Sequence, residues 1–227
     1  MAYRKHTAPS RILWFCIVIG LLGLCAFWSI RGYARLGEQL SSLGGIALGN
    51  TRGEIRYLLG VPPVVYGDEE PGQTVVRLYY TDPQKDPLNA MPEGSDINSY
   101  HTWSYNNGSG LDPHLDLTFD AKSGRIIRID CVDKSEEPTG YCARLAGAGI
   151  GDPESRIVWL FGDPTHEAID EKSGVKTMDY SDIGLLFLLT RQRVYSISVL
   201  GTESPKQVPF NRFLAWLSGE LKGDLRF

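Results

Sequence analysis

Histidine and cysteine are scarce in this chain, four of each in 227 residues, and the patterns that put them to catalytic use are missing. There is no HExxH helix motif and no CxxC pair. A GxSxG nucleophile elbow and a phosphate-binding glycine loop with a following Lys are missing too. The common hydrolase, redox and nucleotide-binding readings fall away, so the chain reads as a non-enzyme with no catalytic, cofactor or metal residues. Basic charge is also short. Arg4, Lys5 and Arg11 stand in the first 30 residues without an acid, which leaves residues 31–227 with 20 basic and 27 acidic side chains. A phosphate backbone needs a basic face, so nucleic acid is not an expected partner.

One stretch lacks charge altogether. Residues 12–30 are nineteen uncharged positions, and at about 1.5 Å per residue they match the hydrocarbon thickness of a bilayer. Trp14 and Trp28 lie near its two ends, where amphipathic rings anchor at the interface. No small-x-small cleavage site follows Trp28, so an uncleaved anchor is expected rather than a signal peptide. Arg4, Lys5 and Arg11 outnumber Arg31 and Arg35, which puts the N-terminus inside. The expectation is a single-pass protein of the bacterial inner membrane, touching the bilayer through this helix, with the bulk of the chain in the periplasm. Cys16 and Cys25 fall in the apolar span, which leaves Cys131 and Cys142 as a pair. In an oxidising compartment they would form a disulfide, in a reducing one two free thiols; the placement favours the disulfide.

What the chain has in plenty is itself. Residues 43–62 and 145–164 align without a gap at an offset of 102, with seven identities that include Gly49/Gly151, Ile55/Ile157, Gly60/Gly162 and Pro62/Pro164. An internal duplication of this length asks for a structural explanation. In the first copy Thr51 and Glu54 form a capping box for a helix with Ile55, Leu58 and Leu59 on one face; in the second, Asp152 caps, Pro153 takes the first helical position, and Ile157, Leu160 and Phe161 repeat the face. Leu36, Leu40 and Leu43 suggest a further helix before the first copy. Alternating segments then predict strands at 75–80, 101–105, 115–119 and 125–131, and at 176–180, 185–189 and 193–200.

The copies disagree in places. Residues 81–98, rich in Pro, Asp and Gly, are an insertion of the first copy and a candidate binding loop. The strand 185–189 is apolar on both faces, Leu186 and Leu188 included, so something must cover its second face. Phe210, Phe213, Leu214, Leu217 and Leu221 fall on one helical stripe and offer a cover, with Trp216 beside them. Tyr79, Tyr100, Trp103 and Tyr105 are the aromatic candidates for a partner-binding face, because Tyr and Trp are enriched where proteins bind. His101, His114 and Asp116 are the only acid/base candidates, and a solvated strand edge explains them as well.

GNTRGEIRYLLGVP and the strand-turn-strand LDLTFDAKSGRIIRID together resemble the BamE (SmpA/OmlA-type) domain, and two such units in tandem are similar in arrangement to β-lactamase inhibitory protein. The resemblance implies two tandem helix-helix-antiparallel-sheet repeats, and with the apolar span, by which the chain departs from the family, the expected fold is α+β with an N-terminal transmembrane helix before the repeats. The divisions are 1–11 for a cytoplasmic tail, 12–30 for the membrane helix, 31–132 and 133–200 for the repeats, and 201–227 for a C-terminal amphipathic helix. It also implies the binding of other membrane or periplasmic proteins, as an accessory or scaffold subunit of an inner-membrane complex. The alternative is an inhibitor or regulator of an extracytoplasmic hydrolase that uses the concave sheet and the acidic residues 68–70.

Overall fold

Two adjacent glycines decide the first turn. Gly44 and Gly45 have φ of +61° and +83°, the left-handed pair that a two-residue hairpin turn needs, and they join β1 (Ser42–Leu43) to β2 (Ile46–Ala47). Where the leucine spacing suggests the end of a first helix, the chain forms this hairpin instead. The computed structural model describes residues 40–67, 77–106, 113–135, 139 and 141–201, all within one unit, Gly37–Phe227.

Each copy of the duplicated stretch then makes one short helix. In α1 (Arg52–Leu59) the Thr51–Glu54 capping box is complete in both directions. In α2 (Glu154–Phe161) the cap residue is Pro153 and no side chain caps the helix. Asp152 is engaged elsewhere, accepting from Gly149 N–H at 2.9 Å and from Arg144 at 2.7 Å. The buried faces also differ. Ile157, Leu160 and Phe161 are all buried in α2, whereas only Ile55 is buried in α1, with Leu58 and Leu59 exposed.

The strands are β3 (Val64–Tyr66), β4 (Leu78–Tyr80), β5 (Thr102–Asn106), β6 (His114–Phe119), β7 (Ile126–Val132), β8 (His166–Ile169), β9 (Lys176–Tyr180), β10 (Leu185–Thr190) and β11 (Arg193–Leu200). All nine belong to one sheet in the order β4-β3-β5-β6-β7-β11-β10-β9-β8. Every neighbouring pair is antiparallel. The insertion contributes two 3-10 turns, Pro87–Asn89 and Ile97–Ser99, with Asp86 and Asp96 as their caps.

Register assigns the faces, since residues directly opposite each other point the same way. One row runs Val65, Trp103, Leu117, Ile129, Val199, Leu185, Tyr180. Every member of it is 2% exposed or less. The helices lie on this face. The Arg52 guanidinium stands 4.5 Å over the Phe119 ring, Tyr105 Oη donates to the Gly60 carbonyl that ends α1, and Tyr180 Oη donates to Gly162 at the end of α2. Phe161 of α2 packs against the Tyr180 and Phe187 rings.

The duplication persists down to single hydrogen bonds. Gly49 N–H donates to Ile126 C=O as Gly151 N–H does to Val194 C=O, and Arg125 reaches Gly49 C=O as Arg193 reaches Gly151 C=O, each at 2.8 Å. The expected architecture is nevertheless corrected. Among the described residues there are two α-helices of eight residues each, one per half, against a single nine-stranded sheet. The fold is mainly β, not α+β, and the helix-helix-sheet repeat of a BamE or inhibitory-protein type is not what forms. The reason is local: the glycine turn at 44–45 and its counterpart at Ala146 and Gly147, with φ of +51° and +90°, stand where the first helix of such a unit would lie.

The membrane reading is corrected as well. Among the described residues no helix is long and apolar enough to cross a membrane, and the expected span 12–30, with Trp14 and Trp28, lies outside them. The single-pass inner-membrane placement, with its periplasmic bulk, has no support among the described residues.

Candidate functional site

The second face of the sheet carries polar residues where a two-layer protein usually carries solvent-facing variety or a second core. Its central row is Ser104, Asp116, Asp130, Ser198, Leu186, Asp179, contributed by β5, β6, β7, β11, β10 and β9. Aspartate is depleted from strands, so three in one row need an account. Neither α1 nor α2 packs here, because both lie on the opposite face.

Two of the aspartates are directly opposed. Asp130 is neutralised: Arg128, two residues along the same strand, grips it with Nε at 2.6 Å and Nη2 at 2.8 Å, and the Ser198 hydroxyl donates to its Oδ1. That planar fork is the strong geometry for a carboxylate, and it holds Arg128 above its ordinary pKa. Asp116 has no such partner. His114 Nε2 stands 3.8 Å from its Oδ2, while its Oδ1 is buried without a hydrogen bond. The Ser104 hydroxyl is the cross-strand neighbour of Asp116; the residue is 1% exposed, and its hydroxyl lies near enough to favour the Asp116 carboxylate, though not in normal hydrogen-bond geometry. Tyr66, diagonal to this pair, is pushed up by burial and by the Asp116 charge.

Burial raises the Asp116 carboxyl above its ordinary 3.8, with Ser104 and His114 opposing. A carboxyl raised in the folded state favours the protonated form. Its contribution to stability is complete below the unfolded value and is lost as pH rises through the folded one. Asp116→Asn should therefore raise the thermal midpoint at pH 7, the gain shrinking to nothing toward about pH 3. Thermal unfolding followed across that range decides the matter, and a variant less stable than the parent at pH 7 would contradict the assignment.

The residues singled out in the sequence distribute unevenly. Cys131 and Cys142 are bonded, with Cα atoms 5.8 Å apart. Leu186 and Leu188 are half-buried on the second face. Trp103 and Tyr105 are in the core under α1, 0% and 8% exposed, and present no binding surface. Tyr79 and Tyr100 stack edge-on, ring centres 5.7 Å apart, beside the sheet margin at β4. Phe213, Trp216 and residues 68–70 lie outside the described residues. His101 sits beyond the Thr102 end of β5, whereas His114 pairs with its Asn106 end. The two histidines are thus at opposite ends of one strand pair and do not form a site together.

Two features depend on the tertiary structure for their meaning. Arg128-x-Asp130 was visible as a same-face pair on a strand, but its value depends on Asp116 lying opposite. The outer surface of α1, Tyr57 at 91% and Leu58 at 53% exposed, was hidden because spacing suggested a buried face for Leu58. A separate cleft of about 500 Å³ is lined by Asp133, Lys134, Arg191, Arg193 and Tyr195. Its one acid is already committed. Burial pushes Asp133 up, yet bonds from Ser135 N–H and from Thr139 N–H and Oγ1 outweigh that and hold it low. Among the described residues no group of three or more His, Cys, Asp or Glu is placed to hold a metal ion.

The fold and the site thus define a mainly-β protein with one helix-covered and one polar sheet face. No family model matches the chain, and no curated protein does. Among solved structures it is similar to a DUF4309 family protein, YjgB, from Bacillus subtilis, at 13% identity over 70% of this chain and 84% of that one, with a TM-score of 0.38. A likeness of that size carries no argument about function.

Proposed function

We propose that the protein is a protein-binding module that receives its partner on the second face of the sheet, with Asp116 as the anchor for a cationic group of that partner. The observation that carries this is the buried Asp116 Oδ1, which has the Ser104 hydroxyl beside it but no hydrogen bond of normal geometry. An unsatisfied buried carboxylate oxygen costs free energy that a donor from outside would recover. An ammonium or guanidinium is the matching donor, and the acidic balance of residues 31–227 favours its approach. Leu186 and Leu188, three strands away on the same face, supply apolar area, the combination of apolar contact and fixed polar points that interfaces use.

A photo-reactive amino acid at Leu186 of the full chain, in cells that naturally make it, tests this. A discrete heavier adduct is expected from position 186, reduced at least about tenfold by Asp116→Asn, as loss of a buried charge-assisted bond implies. The same probe at Leu88, 95% exposed on the inserted loop, should give no such adduct. An adduct at 186 indifferent to Asp116→Asn, or none at all, overturns the reading.

A further inference from the structure

The sheet has an open end. β4 at one margin is partly closed by its parallel bridge to Ala90 and by Met91 N–H bonding to Tyr80 C=O. β8 at the other margin is bonded on its β9 side only, no described residue bonds to its outer side, and all four of its residues are exposed. A strand edge of this kind is a template for another extended segment.

Which groups point outward follows from the alternation of an antiparallel ladder. Asp170 N–H donates to Val175 C=O, so the even-numbered residues 166, 168 and 170 face β9 and the N–H and C=O of Glu167 and Ile169 face out. We propose that two copies of this chain join through β8 in an antiparallel, two-fold arrangement centred on Ala168, which continues the sheet from one copy into the other.

The register is selected by charge and size. Only pairings that set outward residues opposite outward residues can bond. A two-fold axis at 167 opposes Glu167 to its own copy, and one at 169 opposes Glu167 to Glu171; like charges directly opposed are unfavourable. The axis at 168 places Ala168 against Ala168 at the close, non-bonded position, sets Glu167 opposite Ile169, and brings His166 opposite Asp170. Glu167 is further quieted by Lys176, whose Nζ lies 2.9 Å from its carboxylate. Ile169, 65% exposed in the single chain, is covered. A four-residue ladder is a small contact, so the association is weak and reversible.

The test uses the full chain with Ala168→Cys. Non-bonded antiparallel partners have Cα atoms about 4.5 Å apart, within the range a disulfide spans, so mild oxidation should give an intermolecular 168–168 link in high yield. Glu171→Cys, exposed but out of register, should give at least about tenfold less. Adding Ile169→Pro, which removes an outward N–H without touching a bond to β9, should suppress the link at 168 to the level seen at 171. Equal cross-linking at 168 and 171, or a link at 168 that survives Ile169→Pro, overturns the proposal; so does an Ala168→Cys chain that stays monomeric.

Discussion

Trp103→Ala should destabilise the protein by about 4 kcal/mol, at the upper end of what single core substitutions do. The indole is 0% exposed in the central row of the helix-covered face. Its ring meets Phe119 edge-on at 4.9 Å, Arg56 stands over it at 5.6 Å, and its Nε1–H donates to Ile97 C=O at 3.2 Å. Truncation removes the largest fully buried side chain among the described residues and leaves a cavity. It also breaks a side-chain bond that ties the inserted loop to the sheet, so Ile97 C=O loses a donor. Urea unfolding of the full chain measures the loss, and Trp159→Ala is the comparison. Trp159 is 42% exposed with Arg156 over its ring, and its removal should cost less than about 1 kcal/mol. Equal losses from the two would mean that Trp103 is not the centre of the core.

Removing the disulfide, by Cys131→Ala with Cys142→Ala, should cost about 3 kcal/mol, the loop-closure expectation for cysteines eleven residues apart. Alanine is the right replacement because Cys131 is 2% exposed between Leu115 and Ile197, where a serine hydroxyl would add a burial penalty of its own. The bridge matters for more than the chain it closes. Cys131 lies on β7, which with β11 joins the two halves of the sheet, and Cys142 brings the connecting segment back to it. Tyr141, next in the chain, donates to the Tyr105 carbonyl of β5. Denaturation of the parent with and without reductant should show the same loss as the double variant. A parent indifferent to reductant would contradict the structural role.

Much of the local structure could be read from residue order. The capping box at Thr51 and Glu54, the stops at Gly60 and Gly162, and the buried trio of α2 all follow from short-range rules. The α1 face did not follow. Leu58 has the same spacing from Ile55 that Leu160 has from Ile157, yet it is exposed and Leu160 is buried, because burial depends on what lies above the helix. The candidate site is legible only in pieces: Asp116 and His114 stand out as acid/base candidates, and Asp130 does not, since its meaning comes from a cross-strand partner fourteen positions away.

What the sequence by itself determined is therefore the set of short-range decisions: the duplication, the Thr51–Glu54 capping box, and most of the strands. The tertiary structure alone decided that both halves share one sheet, that Trp103 and Tyr105 are core and not surface, and that Asp116 faces Asp130. The physical reason is range. Caps and turns are settled by atoms within a few residues, whereas register, burial and the partner of a charge are settled by strands that meet only when the chain has folded.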